Sequence, residues 1–226
     1  MTERALFQNL RASPLFLELL VVILGVFIAL AADSWWQGRQ ERARVDSYLQ
    51  AIQADLQITR SAVADAISEA TDSLESLIEF NTLMRFTEKI SEDQPMLEIT
   101  LPGLIVPTGM LKALVATGDV KLLRDETLRA ALIRQHARTI EAKSRVDHYA
   151  RDMTQSGREG YYVLERLYAE GYFEPGTSPA VAVRESPRML GLYGYHRDNL
   201  RYYLQALEDM EAAVDELLNI IEGWLQ

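Results

Sequence analysis

His136, His148 and His196 are the only histidines of the 226-residue chain. None lies in an H-x-x-x-H or H-E-x-x-H pattern, so a histidine metal site would have to be assembled across separate helices. Surface or helix-packing roles are the plainer reading of all three. Asp147 precedes His148 and Asp152 follows it by about one helical turn, a spacing that resembles an oriented imidazole. A base of that kind needs a nucleophile, yet no serine sits in a G-x-S-x-G elbow and no cysteine exists to be activated. Gly157-Arg-Glu-Gly160 lacks the flanking strand and third glycine of a dinucleotide loop, and no G-x-x-x-x-G-K-[ST] segment occurs. The expectation is a chain with no catalytic set, no metal site and no cofactor.

Two other groups carry chemistry of a different kind. Glu18 is the only charge between Ser13 and Ala32. It reads either as a carboxylate that snorkels to the headgroups or is protonated, or as a polar contact or ion-pathway group facing other spans. Tyr161, Tyr162, Tyr168, Tyr172 and Phe173, with Tyr193, Tyr195, Tyr202 and Tyr203 beyond the next loop, form a cluster denser than an aromatic content of 8% provides. It reads either as packing of that loop onto the body, or as a partner- or ligand-binding surface, because tyrosine joins apolar area to a polar tip.

These residues need elements to hold them, and composition bounds what those are. With 48% hydrophobic and 25% charged residues, 12 Gly and 7 Pro, the chain has the profile of an ordered, mostly helical protein. The absence of cysteine removes disulfides, thiolate nucleophiles and zinc-thiolate sites together. Thirty-three acidic against 23 basic residues give a net charge of −10, which repels a phosphate backbone and argues against nucleic acid as a partner.

The stretch SPLFLELLVVILGVFIALAA, Ser13 to Ala32, covers roughly 30 Å as a helix, the thickness of a bilayer core. Ser13 suits the N-cap and Pro14 the first helical position. Trp35 and Trp36 follow as a paired interfacial anchor, and Gly25 with Ala29 is a small-xxx-small pair that permits close helix approach. The competing reading is a cleaved signal peptide, with Arg4 and Arg11 ahead of the apolar run and Ala29-Leu30-Ala31 as the cleavage site. Glu18, the length of the run and the Trp pair argue for a retained span. Arg39, Arg42 and Arg44 outnumber Arg4 and Arg11, so charge counting favours a cytoplasmic body.

Beyond the span, Val45, Leu49, Ile52, Leu56, Thr59, Val63, Ala66, Ala70, Ser73, Leu77, Phe80 and Met84 follow alternating steps of four and three. That spacing predicts a long heptad helix, coiled-coil-like in its seam and widened by Ile58, Ile67, Leu74 and Ile78. Ser91 to Pro107 reads as a turn or ordered loop with short extended pieces near Leu97 to Thr100. MLKALVAT reads as a short helix that Gly118 ends in a left-handed cap. Asp125 caps a second long helix with inner face Leu128, Leu132, Gln135, Thr139, Ala142, Val146, Tyr149 and Met153, weakened at Gly157 and Gly160. Gly171 to Pro187, with its prolines at 175, 179 and 187, reads as a loop. Ser186 caps a last helix whose stripe is Leu200, Leu204, Leu207, Val214, Leu217, Leu218, Ile221 and Leu225. The predicted fold is all-α: residues 1–12 a short N-terminal segment, 13–36 a transmembrane helix, 37–226 an elongated antiparallel bundle of three long helices and a short one. An out-back-out path is expected, with Ile221, Trp224 and Leu225 near the Pro95 to Pro107 loop and away from the lipid.

The span Glu18-Leu-Leu-Val-Val-Ile-Leu-Gly25-Val-Phe-Ile-Ala29-Leu, with Asp33 and Trp35 after it, resembles the opening of a bacterial family of single-span membrane proteins classed as a domain of unknown function. Leu114-Val-Ala-Thr-Gly118-Asp-Val-Lys-Leu-Leu-Arg-Asp125-Glu-Thr-Leu128-Arg129 is similar to a second segment of that family. This chain departs from it by an extra residue before Gly25, Thr117 in place of Ser, and Asp33-Ser-Trp-Trp at an exit where Asn is common. The resemblance implies a retained single-pass anchor in the bacterial inner membrane and an extracytoplasmic, periplasmic or peripheral helical body. It supplies no catalytic residues. The lipid bilayer and a protein partner or second copy are the expected partners, for a scaffold or interaction subunit. A ligand-sensing bundle and a Glu18-dependent ion-conducting subunit are the alternatives.

Overall fold

A computed structural model of the chain describes residues 14–87, 90, 97, 104, 106–107, 109–123, 125–174 and 176–225. Every regular element among them is helical: α1 (Pro14–Phe86), α2 (Gly109–Thr117), a 3-10 turn (Asp119–Leu122), α3 (Glu126–Ala169), α4 (Pro179–Glu185) and α5 (Pro187–Leu225). The expected cap at Ser13, the arginines at 4 and 11, the extended pieces at 98–100 and Pro175 lie outside the described residues. Two compact units divide the chain, Met1–Leu49 and Gln50–Gln226.

The heptad arithmetic carries over to burial closely. Of the twelve seam positions of α1, eleven are buried and only Ser73 is half-buried. Ile67 and Leu74 pack against the core as the widened stripe requires. Ile58 and Ile78 do not, being 60% and 39% exposed. On α3 the expected inner face is buried except for half-buried Tyr149, and the face continues through Ser156, Gly160 and Leu164. On α5 the leucine stripe is joined by Met189, Tyr193, Tyr203 and Met210, which the aliphatic spacing alone did not mark.

Caps set the boundaries. The Asp125 carboxylate accepts from the backbone N–H of Thr127 (2.8 Å) and Leu128 (3.1 Å), satisfying two free donors of α3. Gly118, at φ 77°, closes α2 in the left-handed region. The Ser186 hydroxyl accepts from Met189 N–H at 3.3 Å with Pro187 in the first turn of α5. Two expectations are corrected. The stretch 171–187 is not all loop, because Pro179 occupies the first turn of α4, where a missing N–H costs nothing, and Ser178 caps it. α4 then buries Ala180, Ala182 and Val183. Nor do Gly157 and Gly160 break α3, which runs through both.

The sense of the helices in the second unit is also corrected. Gln53 donates to Glu222 (3.3 Å), Arg60 pairs with Asp215 (2.9 Å), and the Phe80 and Tyr193 rings lie 4.9 Å apart. Numbers rising along α1 therefore meet numbers falling along α5. Arg138 pairs with Glu216 (3.2 Å), Arg145 with Asp209 (2.8 Å), and Asp152 with Tyr195 (2.5 Å), so α3 is likewise antiparallel to α5. Thus α1 and α3 run the same way, and the out-back-out path fails. The reason is the connection after Phe86, which brings the chain back until Met110 N–H donates to the Asp55 carboxylate at 3.4 Å. Leu217, towards the end of α5, lies beside Val106 and Pro107; most of the Pro95 to Pro107 loop, where Ile221, Trp224 and Leu225 were expected to pack, lies outside the described residues. The end of α5 also meets Gln53, at the start of the second unit.

Candidate membrane and partner surfaces

Helix α1 is the one described helix long and apolar enough to cross a membrane. Eleven large hydrophobic side chains from Leu17 to Leu30 are exposed, and none of the apolar window is buried. Burying a Val, Leu, Ile or Phe is worth about 1.5–3 kcal/mol, so even half-exposed they hold on the order of 10 kcal/mol against water, comparable to the stability of a whole domain. Glu18 stands in the second turn after Pro14 and is exposed on this helix. It shares a face with Gly25, Ala29, Ala32 and Trp36, which succeed one another at steps of seven, four, three and four. A Cβ placed on Gly25 meets nothing within 4 Å. At the exit, Trp35 and Trp36 are 63% and 56% exposed, the Arg39 guanidinium lies over the Trp35 ring at 5.6 Å, and Gln37 donates to Asp33 at 2.9 Å.

The tyrosine cluster separates into three settings. Tyr193 is buried against Phe80, with its phenol pushed up to about 12 by desolvation, and so belongs to the core rather than to a surface. Tyr203 is fully buried. Tyr168 and Phe173 are half-buried with rings 5.8 Å apart, and the Tyr168 hydroxyl donates to the Thr177 carbonyl at 2.7 Å, which straps the 171–178 loop to α3. The exposed remainder is Tyr161, Tyr162, Tyr172, Tyr195 and Tyr202. Tyr161 and Tyr162 meet edge to face at 6.3 Å, and the Tyr161 phenol is raised by its hydrogen bond to Glu165. Tyr202 stacks on Tyr149 at 5.8 Å.

The polar junction between α3 and α5 is a feature that sequence reasoning missed. Asp152 accepts from the Tyr195 hydroxyl and from Asn199 Nδ2 (3.3 Å), and one turn along, His196 Nε2 and Ser156 Oγ are 2.8 Å apart. Asp152 is thus engaged with α5, not with His148, whose ring lies 5.3 Å from Tyr149. The signal was available as two pairs of polar residues at helical spacing, 152 with 156 and 195 with 199. The Asp152 and Met153 carbonyls lie 2.9 and 3.2 Å from Ser156 Oγ and compete with the imidazole for its one proton. An activated serine needs that proton given to the imidazole. Burial lowers the His196 pKa below its ordinary value and does the same for half-buried His136.

Among the described residues no three His, Asp or Glu side chains gather as a metal would need. A cavity of about 20 Å³ lies between Ile52, Leu56, Thr59, His136, Thr139 and Leu217, room for about one water molecule. Gln135, one turn before Thr139, is 2% exposed, and among the described residues neither atom of its amide has a hydrogen-bond partner. No family model, curated protein or solved structure matches the chain.

Proposed function

We propose that this chain is a single-pass anchor of the bacterial inner membrane whose helical body, on the periplasmic side, serves as a scaffold or interaction subunit for a protein partner or a second copy of itself. The observation that carries the reading is the continuity of α1, one helix from Pro14 to Phe86. It begins as an apolar rod that no described residue covers and continues as a helix with a buried seam. The resemblance of the span to single-span bacterial proteins supports the membrane side of the proposal. The shared face of Glu18, Gly25, Ala29, Ala32 and Trp36 supports the assembly side, since small residues let helices approach and a carboxylate in lipid seeks a partner. The exposed tyrosines offer the body a contact surface.

The chain has no native cysteine, so single cysteines report cleanly. Ala29→Cys should yield a disulfide-linked dimer or a heterologous adduct in native membranes after mild oxidation. Leu30→Cys, off that face, should yield much less. A protein extracted from membranes by alkaline carbonate would refute the anchor, and monomer alone from Ala29→Cys would refute assembly through the span. Labelling of Ser144→Cys in spheroplasts by an impermeant maleimide is expected, and protection from it would place the body in the cytoplasm.

A further inference from the structure

We infer that the exit of the span, Trp35 to Arg44, binds the phosphodiester headgroup of an anionic phospholipid, with Arg39 and Arg42 as the phosphate ligands; this rests on the membrane-anchored reading above. Trp35, Arg39 and Arg42 follow at steps of four and three, so they share one face of α1. The indole holds the Arg39 guanidinium at 5.6 Å from its centroid, and stacking of that kind leaves the N–H edge of the planar cation free for a bidentate phosphate contact. Both arginines are exposed, and none of the described ion pairs engages Arg39, Arg42 or Arg44. In the body, by contrast, Arg60, Arg138 and Arg145 each reach a carboxylate of α5.

Charge distribution favours the same ligand. Arg4, Arg11, Arg39, Arg42 and Arg44 against Glu3, Glu18, Asp33 and Glu41 leave residues 1–44 at +1, so the total of −10 leaves residues 45–226 at −11. An anionic leaflet attracts the exit and repels the body, which holds the arginines at headgroup level and directs the acidic helices into water. The apolar residues next to the site fix the source of the phosphate as a lipid rather than a soluble ester. Trp35 and Trp36 are placed to sit at the headgroup boundary.

The test uses the full chain in nanodiscs of phosphatidylcholine with one-fifth phosphatidylglycerol, reading the lipid retained on the protein by native mass spectrometry. Wild type should retain phosphatidylglycerol well above its share of the disc. Arg39→Gln combined with Arg42→Gln should lower that retention about thirtyfold, at roughly 1 kcal/mol per arginine near a charged surface. Arg39→Lys, which keeps the charge and loses the planar fork, should fall between. Arg134→Gln, which removes a positive charge from the body instead, should leave retention unchanged. Equal retention of the two lipids by wild type, an unaffected double variant, or an equal loss in Arg134→Gln would overturn the site. Displacement of the lipid by millimolar inorganic phosphate would reassign it to soluble anions. A protein that never enters the discs would overturn the anchored reading as well, whereas one that enters without preference would overturn this inference alone.

Discussion

At the scale of single residues, the most informative position is Gln135, a buried amide whose oxygen and nitrogen find no partner among the described residues. An unsatisfied buried polar group costs about 1–3 kcal/mol. Gln135→Leu, close in volume, should therefore raise the unfolding midpoint in detergent solution by an amount worth about 1–3 kcal/mol; a lowered midpoint would mean that the amide is satisfied in solution. The two glycines of α3 should respond in opposite directions. A Cβ at Gly160 collides with the Leu192 side chain, while one at Gly157 meets open space. Gly160→Ala should destabilise by about 1–3 kcal/mol through overpacking, and Gly157→Ala should stabilise by up to about 1 kcal/mol through helix propensity. His196 sets a pH dependence. Its folded pKa lies below the ordinary value near 6.5, so above that value both states are neutral and nothing is lost. As pH falls through 6.5 the unfolded chain takes up a proton that the folded chain refuses, and stability declines until the folded pKa is reached. Denaturant midpoints at about pH 7.5 and about pH 5.5, on either side of that ordinary value, should differ in that direction. His196→Gln should reduce the difference without abolishing it, because His136 is lowered too.

At the scale of elements, the cap of α3 offers a direct check. Asp125→Ala removes the acceptor of two N–H groups and should cost about 1 kcal/mol, with Asp125→Asn close to wild type. Elements are also where the sequence was most legible. Heptad spacing marked the buried seam of α1 from Val45 to Met84, because a helix writes its burial into steps of three and four. Ser186 and Asp125 announced their helices because capping is local chemistry. Residues read as breakers were the failures. Pro179 is harmless in a first turn, and Gly160 sits where the Leu192 side chain presses on α3; both effects depend on position and neighbour, which composition does not encode. The tyrosines were found as a group, but their division into Tyr193 in the core, Tyr168 in a strap and Tyr161 outside depends on which helix faces which.

At the scale of the whole molecule, helical periodicity specified faces and left directions open. The Pro/Gly-rich stretch after Phe86 looked like a turn. Residues 87–108 can reach roughly 70 Å when extended, while the return from Phe86 to Asp55 is about 45 Å along a helix. Length, not proline content, permitted α2 to start beside Asp55. The α5 carboxylates that the sequence displays as an acidic face are partly interhelical partners, Asp209, Asp215 and Glu216 reaching Arg145, Arg60 and Arg138. These pairs are substantially exposed and screened, worth about 0.2–1 kcal/mol each. Their value is in fixing the register of α5 against two helices at once.

That double role of α5 has a consequence for biosynthesis. The chain delivers α1 first and α3 next, both with open apolar seams, and the helix that packs against each of them arrives last. At a synthesis rate of about 5–20 residues per second, the seam of α1 waits on the order of ten seconds for its cover. Ribosome-held chains arrested just after Glu185 should be cut readily by protease within 50–185, and chains carrying all of α5 beyond the exit tunnel should resist. For the whole of that interval the two seams stand open, and the order of the helices in the chain, more than their strength, sets when the body can close.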